Sequence, residues 1–484
     1  MKRSSRATIA ACAALVLLTA CGSGKGGPDT KSPSPGGGSA SFGAPAASRS
    51  PAAGKGSKDP DDLNGDGYRD LLLPVEAPGG EPQWEPADER ILVVYGSAHG
   101  LDPVTRSVWG RSDLGLPAAK SPSGVDRPEA VDTPRVAVAD LDGDGFPDLT
   151  VPVLGQEDVD DGKLISKPTA SYVIWGSAHG PGRSGRKPTK LRLPPPAAAL
   201  GFDGVVRGDF DGDGHHDLAG LEQSGTKAWL LYGPFDRSTG APARTGTLPA
   251  SGGMLYADDI DPTGDKPHVT ALLMREGDDG EQAHNMLYTA PATGKGRELV
   301  AGSAHAFGDF DGDGRRDVVV GDNGSRNDEP GAGTEEPEVD HAMTMYPGDG
   351  GAPVRRELPR PGQKGFRAAL VYAAADPDGD GRDGVLVATE HGVALLNGTD
   401  EVVELDREGP ARGPRRHALP YTAADFDGDG RDELVLAWSA DSVFAMYGEN
   451  PTHWWITEGT SGRDRAAFDA TAWVKRRPYA SPSS

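Results

Sequence analysis

Six segments of the chain repeat one frame, with oxygen-bearing side chains at positions 1, 3 and 5, usually 9, and glycines at 4 and 6. Three are all-aspartate: Asp140, Asp142, Asp144 and Asp148; Asp209, Asp211, Asp213 and Asp217; Asp309, Asp311, Asp313 and Asp317. Asp62, Asn64, Asp66 and Asp70 include one asparagine, and Asp425, Asp427, Asp429 and Glu433 end in glutamate. In the sixth, Asp376, Asp378 and Asp380 lead to Gly384 where the last carboxylate would stand, with Asp383 beside it. These oxygens are joined by the main-chain carbonyl at position 7, on Tyr68, Phe146, His215, Arg315, Arg382 and Arg431. Such a set suits a hard cation, because calcium takes about 6–8 oxygens at ~2.3–2.6 Å. Glycine at position 6 allows the bend that turns the oxygens inward. Carboxylates this close repel one another unless a cation or protons neutralise them. Calcium is therefore expected in about five loops, and the Asp376 loop, short of a carboxylate, stands apart.

Such loops need rigid elements on both sides. A helix-flanked calcium loop would place a bidentate Glu at position 12. Five of the loops hold Leu73, Val151, Gly220, Val320 and Leu436 there, which excludes that arrangement. Val136 and Val138 lead into the second loop, and Leu149, Val151 and Val153 leave it. This period of two predicts strands that each bury one face, joined by the loop as a tight hairpin. A second marker follows each loop, a short apolar run usually closed by an aromatic and often by Gly. It reads Tyr95-Gly96, Trp175-Gly176, Tyr232-Gly233, Tyr288, Tyr346 and Tyr447-Gly448, with Leu396-Asn397-Gly398 as a weaker form. A seventh unit keeps this marker although its loop, Asp259-Ile-Asp261-Pro-Thr-Gly264-Asp265, has lost the pattern. The loops start at 62, 140, 209, 259, 309, 376 and 425. Adding a weaker fourth strand such as Leu191-Arg-Leu193 gives an all-β, seven-bladed propeller, whose radial repetition hides most sheet edges. The 69 glycines, 42 prolines and 6% aromatic content agree with many short elements separated by turns.

On these motifs the chain resembles the FG-GAP/VCBS repeats, the propeller at the head of integrin α chains, over residues 59–460. The resemblance implies calcium bound within each blade and a propeller face that contacts proteins or carbohydrates. The fourth and sixth loops depart from the pattern, which leaves their calcium in doubt.

The N-terminus reads as an export signal. Lys2, Arg3 and Arg6 precede the apolar stretch from Ala7 to Thr19, and Leu18-Thr19-Ala20-Cys21 resembles a bacterial lipobox. Residues 1–20 would be removed, and Cys21 would carry lipid and hold the protein on the outer face of the cell membrane. Cys12 lies within the signal, so no disulfide is expected. Residues 21–58 are rich in Gly, Ser, Pro and Ala and read as a disordered tether. Residues 461–484 form a tail in which Ala470-Thr-Ala-Trp473-Val474-Lys475 is expected to add a strand to the first blade. A net charge of −24 argues against nucleic acid. No zinc-protease helix motif and no nucleophile elbow occurs, so the reading favours a binding or adhesion scaffold for a protein or glycan. The alternative is a hydrolase or lyase acting on a glycan from a site shared between blades. His99 and His179 stand in matching Gly-Ser-Ala-His-Gly turns, and Arg207-Gly208-Asp209 is read as accidental because Asp209 opens a loop.

Overall fold

Strands rich in Val, Leu and Ala separated by acidic turns assemble into seven antiparallel blade sheets in this computed structural model, and a separate two-stranded ribbon pairs Val159–Asp160 with Ile165–Ser166. It describes residues 42–76, 89–117, 131, 135–155, 159–160, 165–166, 168–183, 185–223, 226–260, 268–276, 282–324, 339–359, 372–389, 392–398, 401–412, 416–439 and 450–474. Cys21, the export segment, Asp261 and the Tyr447-Gly448 marker lie outside this set.

Each sheet is a meander whose strands pair in chain order, so every blade is one continuous stretch of chain. Blade 3 is representative: Phe202–Gly208, Asp217–Glu222, Lys227–Tyr232 and Arg244–Pro249. The acidic loop joins its first and second strands. Blades 2 and 4 to 7 are also four-stranded, which gives the all-β seven-bladed propeller. First strands of neighbouring blades pack side by side around the axis. Small residues make this approach possible, most plainly in blade 6, where Ala373–Ala375 is the first strand.

Seven apolar clusters fill the seven seams between blades. Ile91 and Val93 of blade 1 face Leu149 and Val151 of blade 2, while Leu92 and Val94 face Val435 and Ile456 of blade 7. A middle strand therefore buries both faces and reads as a continuous apolar run, not the one-sided alternation expected from the sequence. Each large apolar side chain buried this way contributes about 1.5–3 kcal/mol, and Trp454 is fully buried.

The chain ends are arranged differently from expectation. Asp464–Asp469 is the fourth strand of blade 7, so the propeller runs past residue 460. Ala470–Trp473 is a single 3-10 turn, and Val474 enters the seam between blades 7 and 1, so the terminal segment adds no strand to blade 1. Among the described residues blade 1 has three strands, Leu71–Glu76, Glu89–Val94 and Arg106–Trp109. Lys58-Asp59-Pro60-Asp61 occupies the place of its first strand, where a proline and two carboxylates disfavour pairing.

The tether also ends sooner than residue 58. Phe42 packs edge-on against His453 and Trp455 of blade 7. The Pro45 carbonyl accepts from Arg106 of blade 1 and from Trp473 near the C-terminus. Arg49 bridges to Thr105, and the N–H groups of Gly54, Lys55 and Gly56 donate to the carbonyls of Asn64 and Gly65. A Cβ on Gly54 would fall 2.0 Å from the Gly65 carbonyl, so only glycine allows the strap to cross there.

Candidate metal centres

The carboxylate at position 1 winds each loop around itself. Asp209 Oδ1 accepts the N–H groups of Gly212 at 2.8 Å and Asp213 at 3.1 Å, and its Oδ2 accepts that of Gly214 at 2.9 Å. Asp140, Asp309, Asp376 and Asp425 do the same in their loops. Asp62 takes the N–H groups of Asp66 and Gly67. Both glycines of the frame lie in the left-handed region, Gly212 at φ 73° and Gly214 at φ 85°, so position 4 needs glycine as much as position 6. The carboxylate at position 5 accepts the N–H of position 7, as Asp144 does from Phe146 and Asp213 from His215. Asp66 with Tyr68, Asp313 with Arg315, Asp380 with Arg382 and Asp429 with Arg431 repeat the contact.

Position 9 explains why the second marker carries glycine. Asp217 Oδ2 accepts the N–H of Phe210 within the loop, and its Oδ1 accepts that of Gly233, directly after the aromatic Tyr232. Asp70 holds Leu63 and Gly96, Asp148 holds Leu141 and Gly176, and Asp317 holds Phe310 and Gly348. Burial raises the carboxyl of Asp217 to about 7 and that of Asp317 to about 6, against the lowering effect of these hydrogen bonds. Burial likewise pushes up Asp70, Asp148 and Glu433.

One ligand atom from each of Asp140, Asp142 and Asp148 lies within 4.8 Å of the other two, and Asp209, Asp211 and Asp217 and Asp309, Asp311 and Asp317 form equal triples. In the sixth loop the triple is Asp376, Asp378 and Asp380. Asp383 cannot replace its missing carboxylate, because Asp383 Oδ2 accepts the Asp309 N–H of the preceding blade. Asn64 is fully buried with its Oδ1 lacking a hydrogen bond, and the oxygens of Asp142 are buried without one against the Arg237 guanidinium. Arginine also meets position 3 in two other loops, Arg244 at Asp211 and Arg465 at Asp427. These clusters are oxygen-rich, negatively charged and able to hold a metal ion.

Position 8, which carries no ligand in the frame, does separate work. His216, Asp383 and Asp432 each accept the N–H of the first aspartate in the preceding blade, at Asp140, Asp309 and Asp376. Asp383 and Asp432 also donate their own N–H to the carbonyl of that same aspartate. Five of the six loops carry a polar residue at this position, Arg69, His216, Arg316, Asp383 and Asp432, with Pro147 as the exception, and that column is the only trace of these contacts in the sequence. On the axis, Asp259 of the degenerate fourth loop accepts Arg69 at 3.0 Å and Arg207 at 2.7 Å, and Arg207 also holds Asp61 at 2.6 Å. Although burial alone would raise it, the two guanidinium groups keep the Asp259 carboxyl low. This bolt ties blades 1, 3 and 4 between two axial cavities of about 510 and 310 Å³.

Sheets, seams and loops together define a seven-bladed propeller with acidic hairpin loops. No family model matches the chain, and no curated protein does. Among solved structures, the Dos1 propeller is similar over 85% of this chain and 83% of that one, at 8% identity and a TM-score of 0.36. An Agrocybe aegerita lectin specific for non-reducing terminal N-acetylglucosamine is similar over 84% and 90%, at 14% identity and a TM-score of 0.41. A Synechocystis apocarotenoid oxygenase is similar over 86% and 91%, at 12% identity and a TM-score of 0.41. Likeness this slight adds nothing to the fold, which the seven sheets establish, and nothing to function.

Proposed function

We propose that the protein is a calcium-bearing propeller of the FG-GAP/VCBS type, exported and held on the outer face of the cell membrane by an acylated Cys21. There it serves as a binding or adhesion scaffold for a protein or glycan. The observation that supports calcium is the buried, unsatisfied oxygen of Asn64, together with the carboxylate triples of the neighbouring loops. An all-oxygen set with flexible spacing suits calcium better than magnesium, which demands a near-ideal octahedron. Positions 1, 3, 5 and 9 and the carbonyl at 7 would hold the ion. Bound there, it would supply positive charge and fix the hairpin between the first two strands of a blade. The scaffold role is supported by the absence of a recognisable catalytic motif and by carboxylates already committed to loops and bolt.

Anchor and role are tested together. Cys21→Ala should move the protein from the membrane fraction to the medium, and the released chain should bind a cell-wall glycan or secreted protein saturably and without turnover. Unchanged fractionation and mass would refute the anchor, and hydrolysis or elimination of an offered glycan would refute the scaffold.

A further inference from the structure

Between blades 5 and 6 the seam opens into a cleft of about 170 Å³. Its blade 5 wall follows the pairing of that sheet: Met345 stands opposite Val319 on the second strand and Val354 on the fourth, and Met343 stands opposite Arg356. Phe310 of the blade 5 loop and Leu396 of blade 6 complete the apolar lining. Val354 is 48% exposed, one of four large apolar side chains left to solvent among the described residues, so the apolar surface runs out of the seam to the mouth of the cleft.

Positive charge meets this surface at one point. Arg356, on the fourth strand of blade 5, donates from Nη1 to the Gly398 carbonyl. Arg382, from the sixth acidic loop, donates from Nε to the Phe310 carbonyl at 2.9 Å, and its guanidinium reaches the same glycine, where an added Cβ would stand 3.6 Å from Nη1 and 3.8 Å from Nη2. Arg355 also lines the cleft, 4.0 Å from the Glu357 carboxylate in an exposed contact of little strength. The one carboxylate in the lining, Asp383, already accepts the Asp309 N–H and lies 3.7 Å from Arg316. Two guanidinium groups gathered at one carbonyl beside an apolar cleft repel each other until an anion sits with them.

We propose that this cleft binds an aromatic carboxylate, with its ring against Met343 and Met345 and its carboxylate on Arg382 and Arg356. The volume sets the size, since an apolar cavity of about 150 Å³ takes a single benzene ring. Thioethers pack favourably against aromatic rings, and methionine adapts its shape to them. The Nη groups of Arg382 can meet two carboxylate oxygens in parallel, the strongest geometry a guanidinium offers. Arg356 adds charge beside them while keeping its hold on Gly398.

The experiment measures binding of hydrocinnamate to the whole chain by calorimetry in excess Ca²⁺, with its neutral amide and inorganic phosphate as comparison ligands. The parent protein should take up one equivalent of the acid with a Kd of about 1 mM or tighter, the range open to a ligand of this size. The amide should bind roughly tenfold or more weakly, because it loses a charge-assisted contact. Arg382→Gln, which leaves the main-chain carbonyl of the loop in place, should impose the same loss on the acid and none on the amide. Met345→Trp, which fills the cleft, should weaken acid and amide alike. Variants on opposite walls, each checked against the parent by melting temperature, keep the test decisive if one of them fails to fold. Equal affinity for acid and amide, undiminished binding of the acid in both variants, or no uptake by the parent would overturn the proposal. Phosphate bound as tightly as hydrocinnamate would also overturn it and make the arginines a bare anion site.

Discussion

Asp211 and Asp217 belong to one loop yet answer to different partners. Asp217 is buried and satisfies two backbone donors, Phe210 and Gly233, while Asp211 meets the Arg244 side chain. Losing a buried acceptor strands its donors at about 1–3 kcal/mol each. Asp217→Ala should thus cost roughly 2–4 kcal/mol in denaturant unfolding even in chelator. Asp211→Ala should cost little in chelator and show its loss only with calcium present; equal losses in both buffers would contradict the division of roles. His305 gives the pH dependence its sign. Burial and the nearby Arg275 lower its imidazole to about 3, whereas an unfolded histidine titrates near ~6.5. The folded state therefore prefers the neutral ring, so this stability is complete above ~6.5 and is lost as pH falls toward the folded value. His305→Phe keeps an aromatic ring against Tyr256 and Phe307 and removes the proton site. Melting curves between pH 7 and 4 should fall less steeply for the variant, and parallel curves would refute the assignment. Ligand positions were legible at this scale because a repeated frame exposes them. Position 8 was not, because its partners lie in the preceding blade, and the Asp259 bolt joins residues up to 190 positions apart.

Among the elements, the strap of residues 42–57 departs furthest from its sequence. Its Gly, Ser, Pro and Ala content predicts disorder, since it offers little apolar surface to offset the entropy of ordering. What holds it is mostly main chain: donors on Gly54, Lys55, Gly56 and Ser57 meet carbonyls of the first and second acidic loops, with Phe42 as its one large apolar anchor. Backbone pairing of this kind leaves no side-chain signature. It clips blade 7 to blade 1 across the seam where the ring closes, beside a blade that lacks a first strand. Gly54→Val should push the strap off, because its Cβ would overlap the Gly65 carbonyl. The loss of several hydrogen bonds at ~1 kcal/mol each should lower stability by about 2–4 kcal/mol. Limited proteolysis should show rapid cleavage between residues 42 and 58, and an unchanged pattern would mean that the strap does not depend on this crossing. The blades themselves were legible, since each pairs a turn signal with an apolar strand. The segment 470–475 was misread as a strand of blade 1, because its apolar residues do enter the seam between blades 7 and 1 but from a 3-10 turn that follows the last strand, Asp464–Asp469.

At the scale of the molecule, seven seams share one ring, and each blade is held by two neighbours. Five of the acidic loops join the first and second strands of their blades and the Asp62 loop leads into Leu71–Glu76 at the equivalent place, so they crowd one end of the ring in a chain of net charge −24. Carboxylates gathered this way repel, and burial has already raised the position 9 groups, so without metal the loop end of each blade holds unfavourable charge or takes up protons. A ligand that binds only the folded state adds ~2.7 kcal/mol at a hundredfold excess over its Kd. Five calcium loops acting on one cooperative ring should then raise the melting temperature by about 10 °C or more. Chelation should remove this gain, calcium should restore it, and magnesium should restore less. The fourth blade, whose degenerate loop gave its first aspartate to the bolt, should be indifferent, so Asp259→Asn should lower the melting temperature equally with and without calcium. Melting that ignores chelator, with no calcium uptake by calorimetry, would reduce the loops to hydrogen-bonded turns and leave the ring to its seams, strap and bolt alone.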